Sequence, residues 1–146
     1  MRAVRGRRVT GPPAEGGAIV LDKPVPRTGH PATAARDAPR DFLHHATQVR
    51  PPAQAEHPDG VLLVVAELVT NAIRHTDGPC TLHLELHRDH LEICVTDTSP
   101  HPPQPRQPHT DGTGGWGRLL INHLTTRVRI EPTPDGGKTI CAHSPW

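Results

Sequence analysis

The feature of this sequence that most constrains its fold is the pattern over residues 59–75, which predicts one long amphipathic helix. At about 100° per residue, eight of its apolar side chains fall within about 180° of the helix circumference. These side chains are Val61, Leu62, Val64, Val65, Leu68, Val69, Ala72 and Ile73. The opposite side carries a polar stripe made of Glu67, Thr70, Asn71 and Arg74. The pattern predicts a helix that packs against a sheet and turns one polar stripe away from it.

Two alternating segments after this helix predict a β-hairpin. Residues 80–87 and 91–97 both place branched apolar side chains at every second position, with a turn at 88–90 between them. The other face of the first segment carries His83, Glu85 and His87. We therefore expect one face of the hairpin to pack on the core and the other to face water.

The remainder of the second half predicts one short helix at 118–124 and two strands at 126–131 and 138–143. The glycines of residues 135–137 predict the turn between those strands. The proline-rich stretch 98–113 predicts a long loop.

The first half of the chain is poorer in apolar residues. Residues 1–31 are rich in Pro, Gly and Arg and predict a mostly flexible basic arm, with a candidate short strand at 18–21. Residues 32–48 have a helical pattern, and Pro39 is expected to kink or interrupt that helix. The predicted organisation is therefore an arm over 1–31 and one folded domain over 32–146.

Composition narrows the class of protein. The 146 residues carry 16 Lys+Arg against 15 Asp+Glu, so the net charge is close to zero. A net charge close to zero argues against wholesale disorder and gives no indication of a nucleic-acid partner. No run of about 18 apolar residues and no export signal is visible, so we expect no membrane partner and a cytoplasmic location. Three Cys without a CxxC motif predict free thiols in a reducing compartment.

Three features that could bind a nucleotide occur in order along the chain. Glu67 and Asn71 are four residues apart, so they lie one turn apart on the polar stripe, and their oxygens suit Mg²⁺. Asp97 ends a predicted strand, where its carboxylate could accept a hydrogen bond from an exocyclic amine such as that of adenine. The glycines of 112–117 precede a helix, where backbone N–H groups can approach phosphates. Each feature is common alone, and their order and placement are what favour nucleotide binding.

At residues 67–75 the sequence Glu-Leu-Val-Thr-Asn-Ala-Ile-Arg-His resembles the N box of the GHKL ATPases, which share the Bergerat fold. Residues 63–72, 95–100 and 137–140 are similar to the short actinobacterial-type anti-sigma serine/threonine kinases of that group. The resemblance covers about 32–142. It implies an α/β (α+β) two-layer sandwich, in which helices cover one face of a mixed sheet.

The resemblance also implies a role for each matching residue. Glu67 would be the general base, and Asn71 would hold the Mg²⁺ that bridges the phosphates of ATP. Asp97 would bind the adenine amino group, supported by Thr139. Arg74 and His75 would line the phosphate side of the pocket. The end of the ATP lid that contacts the phosphates would be formed by Gly112, Gly114, Gly115 and Gly117. The chain departs from the family where Ser99 and His101 stand in place of glycines.

Two functions remain open from the sequence. The first is an enzyme that uses ATP and Mg²⁺ to phosphorylate a serine or threonine of an anti-sigma factor antagonist. The second is a non-catalytic module of the same fold that sequesters a sigma factor or another regulator, with ATP as a switch or absent. A homodimer is an expectation taken from the family alone.

A zinc site is the other chemistry that the sequence raises. The residues that suggest it are Cys80, His83, His87, His90 and Cys94. Their spacings match no common zinc signature, so the sequence does not favour a structural metal.

Overall fold

The structure is a computed structural model that describes residues 19–25, 31–76, 78–100 and 117–146. Within these ranges the chain forms five strands and three helices. In chain order they are β1 (Val20–Pro24), α1 (Pro31–Val49), α2 (His57–His75), β2 (Thr81–Leu86), β3 (His90–Asp97), α3 (Gly117–Leu124), β4 (Arg127–Pro132) and β5 (Lys138–Pro145). The elements predicted from the sequence at α2, β2, β3, α3, β4 and β5 are confirmed, with ends that differ by at most two residues.

The strands form one sheet in the order β1-β2-β3-β5-β4. The predicted two-layer α+β class is confirmed, while all four described pairings are antiparallel, where the resemblance implied a mixed sheet. β3 lies at the centre and pairs with β5 along its whole length, from His90 opposite Pro145 to Asp97 opposite Lys138. This pairing fixes which residues meet at the end of the sheet.

The helices pack on one face of the sheet, which we call the core face. Apolar residues of α2 and of the central strands are buried between the two layers. They include Val61, Val64, Val65, Leu68, Leu84, Leu91, Ile93 and Val95. Full burial of one such side chain stabilises the fold by about 1.5–3 kcal/mol. No helix in the described ranges combines the length and apolar character needed to cross a membrane.

Pro39 was expected to kink or interrupt this helix; α1 runs through Pro39 as one helix, so the interruption is wrong. Pro39 itself is buried, and Phe42, Leu43 and Ala46 on the next two turns are buried in the core. We attribute the continuity to this packing, because tertiary contacts routinely override local helix propensity.

The strand β1 lies within the segment interpreted from sequence as a mostly flexible arm. It extends the sheet by pairing antiparallel with β2, and Val25 just after it is buried in the core. The candidate strand at 18–21 is therefore confirmed in part and shifted toward the carboxyl end.

The face of the sheet opposite the helices carries mostly polar side chains. We call it the polar face and define it by His83, Glu85, Glu92, Arg129 and His143. The sequence predicts that this face is wet, but His83 is only 5% exposed and Glu92 only 1%. Burial lowers the pKa of His143, an effect opposed by its hydrogen bond to Glu92.

The polar face also contains a disulfide between Cys94 and Cys141. The expectation of free thiols is therefore wrong for these two residues. They are directly opposite in the β3–β5 pairing although 47 positions separate them in sequence. The third cysteine, Cys80, is buried and lies outside the disulfide.

Candidate functional site

The polar stripe of α2 forms the first part of the candidate site. The apolar arc buries Leu68 and Ala72, so Glu67 and Asn71 beside them are left half-buried, one turn apart. Among the described residues, neither side chain has a hydrogen-bond or ion-pair partner. Arg74 lies further along the helix and is exposed, and His75 is the last helical residue. The predicted shared stripe of Glu67 and Asn71 is thus confirmed.

The end of β3 forms the second part. Asp97 is its last residue and is 4% exposed, and Lys138 opens β5 directly opposite and is 5% exposed. The Nζ atom of Lys138 donates to both carboxylate oxygens of Asp97, at 3.0 Å each. It also donates to the carbonyl oxygen of Ser99 at 3.3 Å. Asp97 is therefore held in a buried ion pair.

The turn after Asp97 closes on the same carboxylate. The backbone N–H of Ser99 donates to Oδ1 of Asp97 at 2.9 Å, and Ser99 is itself buried. A carboxylate accepts about four hydrogen bonds, so Asp97 retains capacity for one more donor. An adenine amine would have to share Asp97 with Lys138, whose role the sequence analysis missed. The register between β3 and β5 sets that contact, and no local pattern reveals it.

Two glycines allow the chain to pack tightly at this end. A Cβ atom on Gly137 would overlap the carbonyl oxygen of Asp97, and one on Gly78 would overlap the hydroxyl of Thr98. The hydroxyls of Thr76 and Thr98 are 2.5 Å apart in a hydrogen bond. This bond joins the segment just after α2 to the residue after Asp97. The end of the helix that carries the polar stripe therefore lies beside the end of the strand that carries Asp97.

Thr139 lies at the same end of the sheet but does not contact Asp97 through its side chain. Its hydroxyl is 2.8 Å from that of Thr96, its partner in the β3–β5 pairing. Since successive side chains on a strand alternate between faces, Thr139 points to the polar face and Lys138 to the core face. Lys138, rather than Thr139, is the residue of β5 that holds Asp97.

The glycine-rich segment lies mostly outside the described residues. Gly117 begins α3. The roles that the resemblance implies for Gly112, Gly114 and Gly115 stay predictions, as do those for Arg74 and the side chain of His75.

The comparisons with known proteins identify the family. The model of the histidine kinase-like ATPase domain matches residues 31–143, so the chain belongs to this family. Among solved structures, it is similar to a chain in the crystal structure of the SiaB–SiaC complex from Pseudomonas aeruginosa. The TM-score is 0.56 and the identity 14%, over 86% of this chain and 89% of that chain, so this likeness shows the fold. No curated protein matches the sequence.

Proposed function

We propose that the protein binds Mg-ATP at the site between the polar stripe of α2 and Asp97, and that it acts as a regulatory serine/threonine kinase. The observation that carries this proposal is the arrangement of Glu67 and Asn71, half-buried and without partners among the described residues, in a chain of the histidine kinase-like ATPase family. Polar side chains left without partners beside a core are available for a ligand.

The donor set fits a magnesium nucleotide in its chemistry. The amide oxygen of Asn71 suits Mg²⁺ as a ligand, and the carboxylate of Glu67 suits it as a neighbouring group. The remaining positions around Mg²⁺ would be filled by waters and phosphates. Asp97 fits the adenine amine less simply, because Lys138 shares its carboxylate. Bound Mg-ATP supplies the γ-phosphoryl group and charge neutralisation.

Glu67 would act on the acceptor hydroxyl. Its carboxylate would take the proton of the acceptor hydroxyl as the hydroxyl oxygen bonds to the γ-phosphorus. The bond between the γ-phosphorus and the β–γ bridging oxygen would break, and ADP would leave. Asn71 would orient the phosphates for this transfer. Phosphoryl transfer needs mainly positioning and charge neutralisation, so a site of few residues suffices.

The proposed acceptor is a serine or threonine on an anti-sigma factor antagonist, and a sigma factor is the second proposed partner. The similar solved structure is a complex of two proteins, which supports the idea that chains of this fold work through a protein partner. A homodimer remains a family expectation.

A second candidate function is favoured by one observation. Lys138 occupies an acceptor position on each oxygen of the buried Asp97 carboxylate, which would otherwise be free to select adenine. Such a chain could keep the fold as a binding module that sequesters a regulator, with ATP as a switch or absent. Catalysis and sequestration differ in whether phosphate is transferred.

Phosphate transfer from γ-labelled ATP to a purified antagonist protein tests the proposal. We expect transfer by the wild type, none by Glu67→Gln, and unchanged transfer by the control Glu56→Gln, which alters an exposed glutamate before α2. Normal transfer by Glu67→Gln would remove Glu67 from this role. ATP binding without transfer by the wild type would favour the binding module.

A further inference from the structure

The polar face holds a group of three metal-ligating side chains, away from the proposed nucleotide site. His83 and Glu85 are two residues apart on β2, so they share a face, and Glu92 on β3 lies directly opposite Glu85. One ligand atom from each of the three side chains lies within 4.8 Å of the other two. The group is formed by strand register, not by a motif that is local in sequence.

The imidazole of His83 is an independent sign that this group can bind a ligand. His83 is 5% exposed, and its Nε2 atom is buried with no hydrogen-bond partner among the described residues. An unpaired buried polar atom destabilises the fold, because it loses its hydrogen bonds to water without replacement. On the other side of the ring, Nδ1 lies 3.9 Å from a carboxylate oxygen of Asp22. That distance is longer than a hydrogen bond, but the negative charge on this side of the ring favours the Nδ1–H tautomer, which leaves the lone pair on Nε2.

The two carboxylates of the group would be stabilised by a bound cation. Glu85 and Glu92 are opposed directly across two strands, an arrangement that is destabilising for like charges. Arg129 lies 3.4 Å from Glu92 but also 3.6 Å from Glu131, so two carboxylates share its single charge. His87 lies 2.9 Å from Glu85, outside hydrogen-bond geometry.

From this geometry we propose that His83, Glu85 and Glu92 bind one divalent transition-metal ion of the Zn²⁺ class. Imidazole and carboxylate together suit Zn²⁺, whose ligand atoms lie about 2.0–2.2 Å from the metal. Ligand atoms on such an ion are about 3.4 Å apart, so the group must contract by at most about 1.4 Å. The Glu85 side chain is 17% exposed and is the less buried of the two carboxylates, so a change in its side-chain torsions would close this distance. A water would take the fourth position.

The contacts of Glu92 are compatible with this assignment. Its Oε2 atom is 3.2 Å from Nε2 of His143 and 3.4 Å from Nη2 of Arg129. Both contacts hold the orientation of the carboxylate, and a carboxylate with its two oxygens can accept such contacts and also ligate a metal. Neighbours that orient a ligating carboxylate in this way are typical of metal sites. The bound ion would link β2 to β3 on the face opposite the helices.

Calorimetric titration of the untagged, oxidised full chain with ZnCl₂ tests this proposal. We expect one saturable site per chain, with affinity reduced more than about 100-fold in His83→Gln and in Glu92→Gln, since each removes a direct ligand. The control His44→Gln changes an exposed histidine of α1 and should bind like the wild type. If Glu92→Gln does not fold, Glu85→Gln takes its place.

Two further readouts separate a built site from weak binding by scattered histidines. Zn²⁺ should raise the melting temperature of the wild type and of His44→Gln, but not that of His83→Gln. Co²⁺ should give the visible absorption of a tetrahedral site only in the first two proteins. Wild-type affinity in His83→Gln, no saturable binding by the wild type, or equal affinity for Mg²⁺ and Zn²⁺ would each overturn the proposal.

Discussion

The two ends of the candidate nucleotide site differ in how far the protein satisfies its own polar groups. At the Asp97 end, the carboxylate is buried and bound by Lys138 and by the backbone of Ser99. On α2, Glu67 and Asn71 are half-buried and have no partner among the described residues. The contrast suggests that the Asp97 end contributes mainly to stability, whereas the polar stripe contributes mainly to chemistry. Four sets of substitutions and treatments test this difference between the two ends.

The largest effect is expected from removing Lys138. The variant Lys138→Met leaves a buried carboxylate without its cation and should lower the free energy of unfolding by about 3–5 kcal/mol. The double variant Asp97→Asn with Lys138→Met should recover much of this loss, because neither remaining group carries a charge. Urea unfolding measures both. A loss below about 1 kcal/mol in the single variant would show that the pair does not stabilise this end.

A somewhat smaller effect is expected from the Cys94–Cys141 disulfide, which joins β3 and β5 three residues before Asp97. Reduction, or the double variant Cys94→Ser with Cys141→Ser, should lower the free energy of unfolding by about 2–4 kcal/mol, because the unfolded chain gains conformational entropy when the cross-link is removed. Unfolding with and without dithiothreitol measures the effect. If the reductant alters the double-serine variant equally, the disulfide is not the cause.

Glycine substitutions should separate tight packing at the Asp97 end from open space elsewhere. Gly137→Ala places a methyl group against the carbonyl oxygen of Asp97 and should cost about 1–3 kcal/mol. Gly60→Ala, in the first turns of α2, meets only Leu124 Cδ2 at 3.6 Å. It should stabilise the protein by about 0.5–1 kcal/mol through helix propensity. Thermal unfolding of both variants compares them, and equal effects would contradict the packing difference.

The smallest effect on stability is expected on α2. Glu67→Gln and Asn71→Ala remove half-exposed groups that have no partners among the described residues, so each should change the free energy of unfolding by less than about 0.5 kcal/mol. Urea unfolding of these variants beside the wild type is the measurement. A loss above about 2 kcal/mol in either would place the polar stripe with the stabilising residues and end the division between the two ends.

Local sequence patterns predicted the elements well, and pairings between distant segments were what they missed. The apolar periodicity of α2 and the alternation of β2 and β3 are properties of neighbouring residues, so their positions follow from the sequence. The Asp97–Lys138 pair, the Cys94–Cys141 disulfide and the buried group around His83 all depend on strand register. Register is set by packing across the whole sheet, which a single sequence does not display.

Pro39 illustrates the same limit in a helix. The local rule predicts a kink or an interruption, yet α1 continues as one helix because the residues after Pro39 pack into the core. For the candidate site, the shared stripe of Glu67 and Asn71 was predictable from their spacing. The ion pair between Asp97 and Lys138 was not predictable, because the two residues are 41 positions apart and lie on different strands.

The most direct test of the central claim, that the polar stripe and Asp97 form one nucleotide site, is calorimetric titration with Mg-ATP. The wild type, Asn71→Ala and Asp97→Asn should be compared, with Asn122→Ala on the exposed surface of α3 as the control. We expect saturable binding by the wild type and the control, and loss of binding in the other two variants, each shown to be folded. Absence of binding by the wild type, or wild-type affinity in Asn71→Ala, would contradict it.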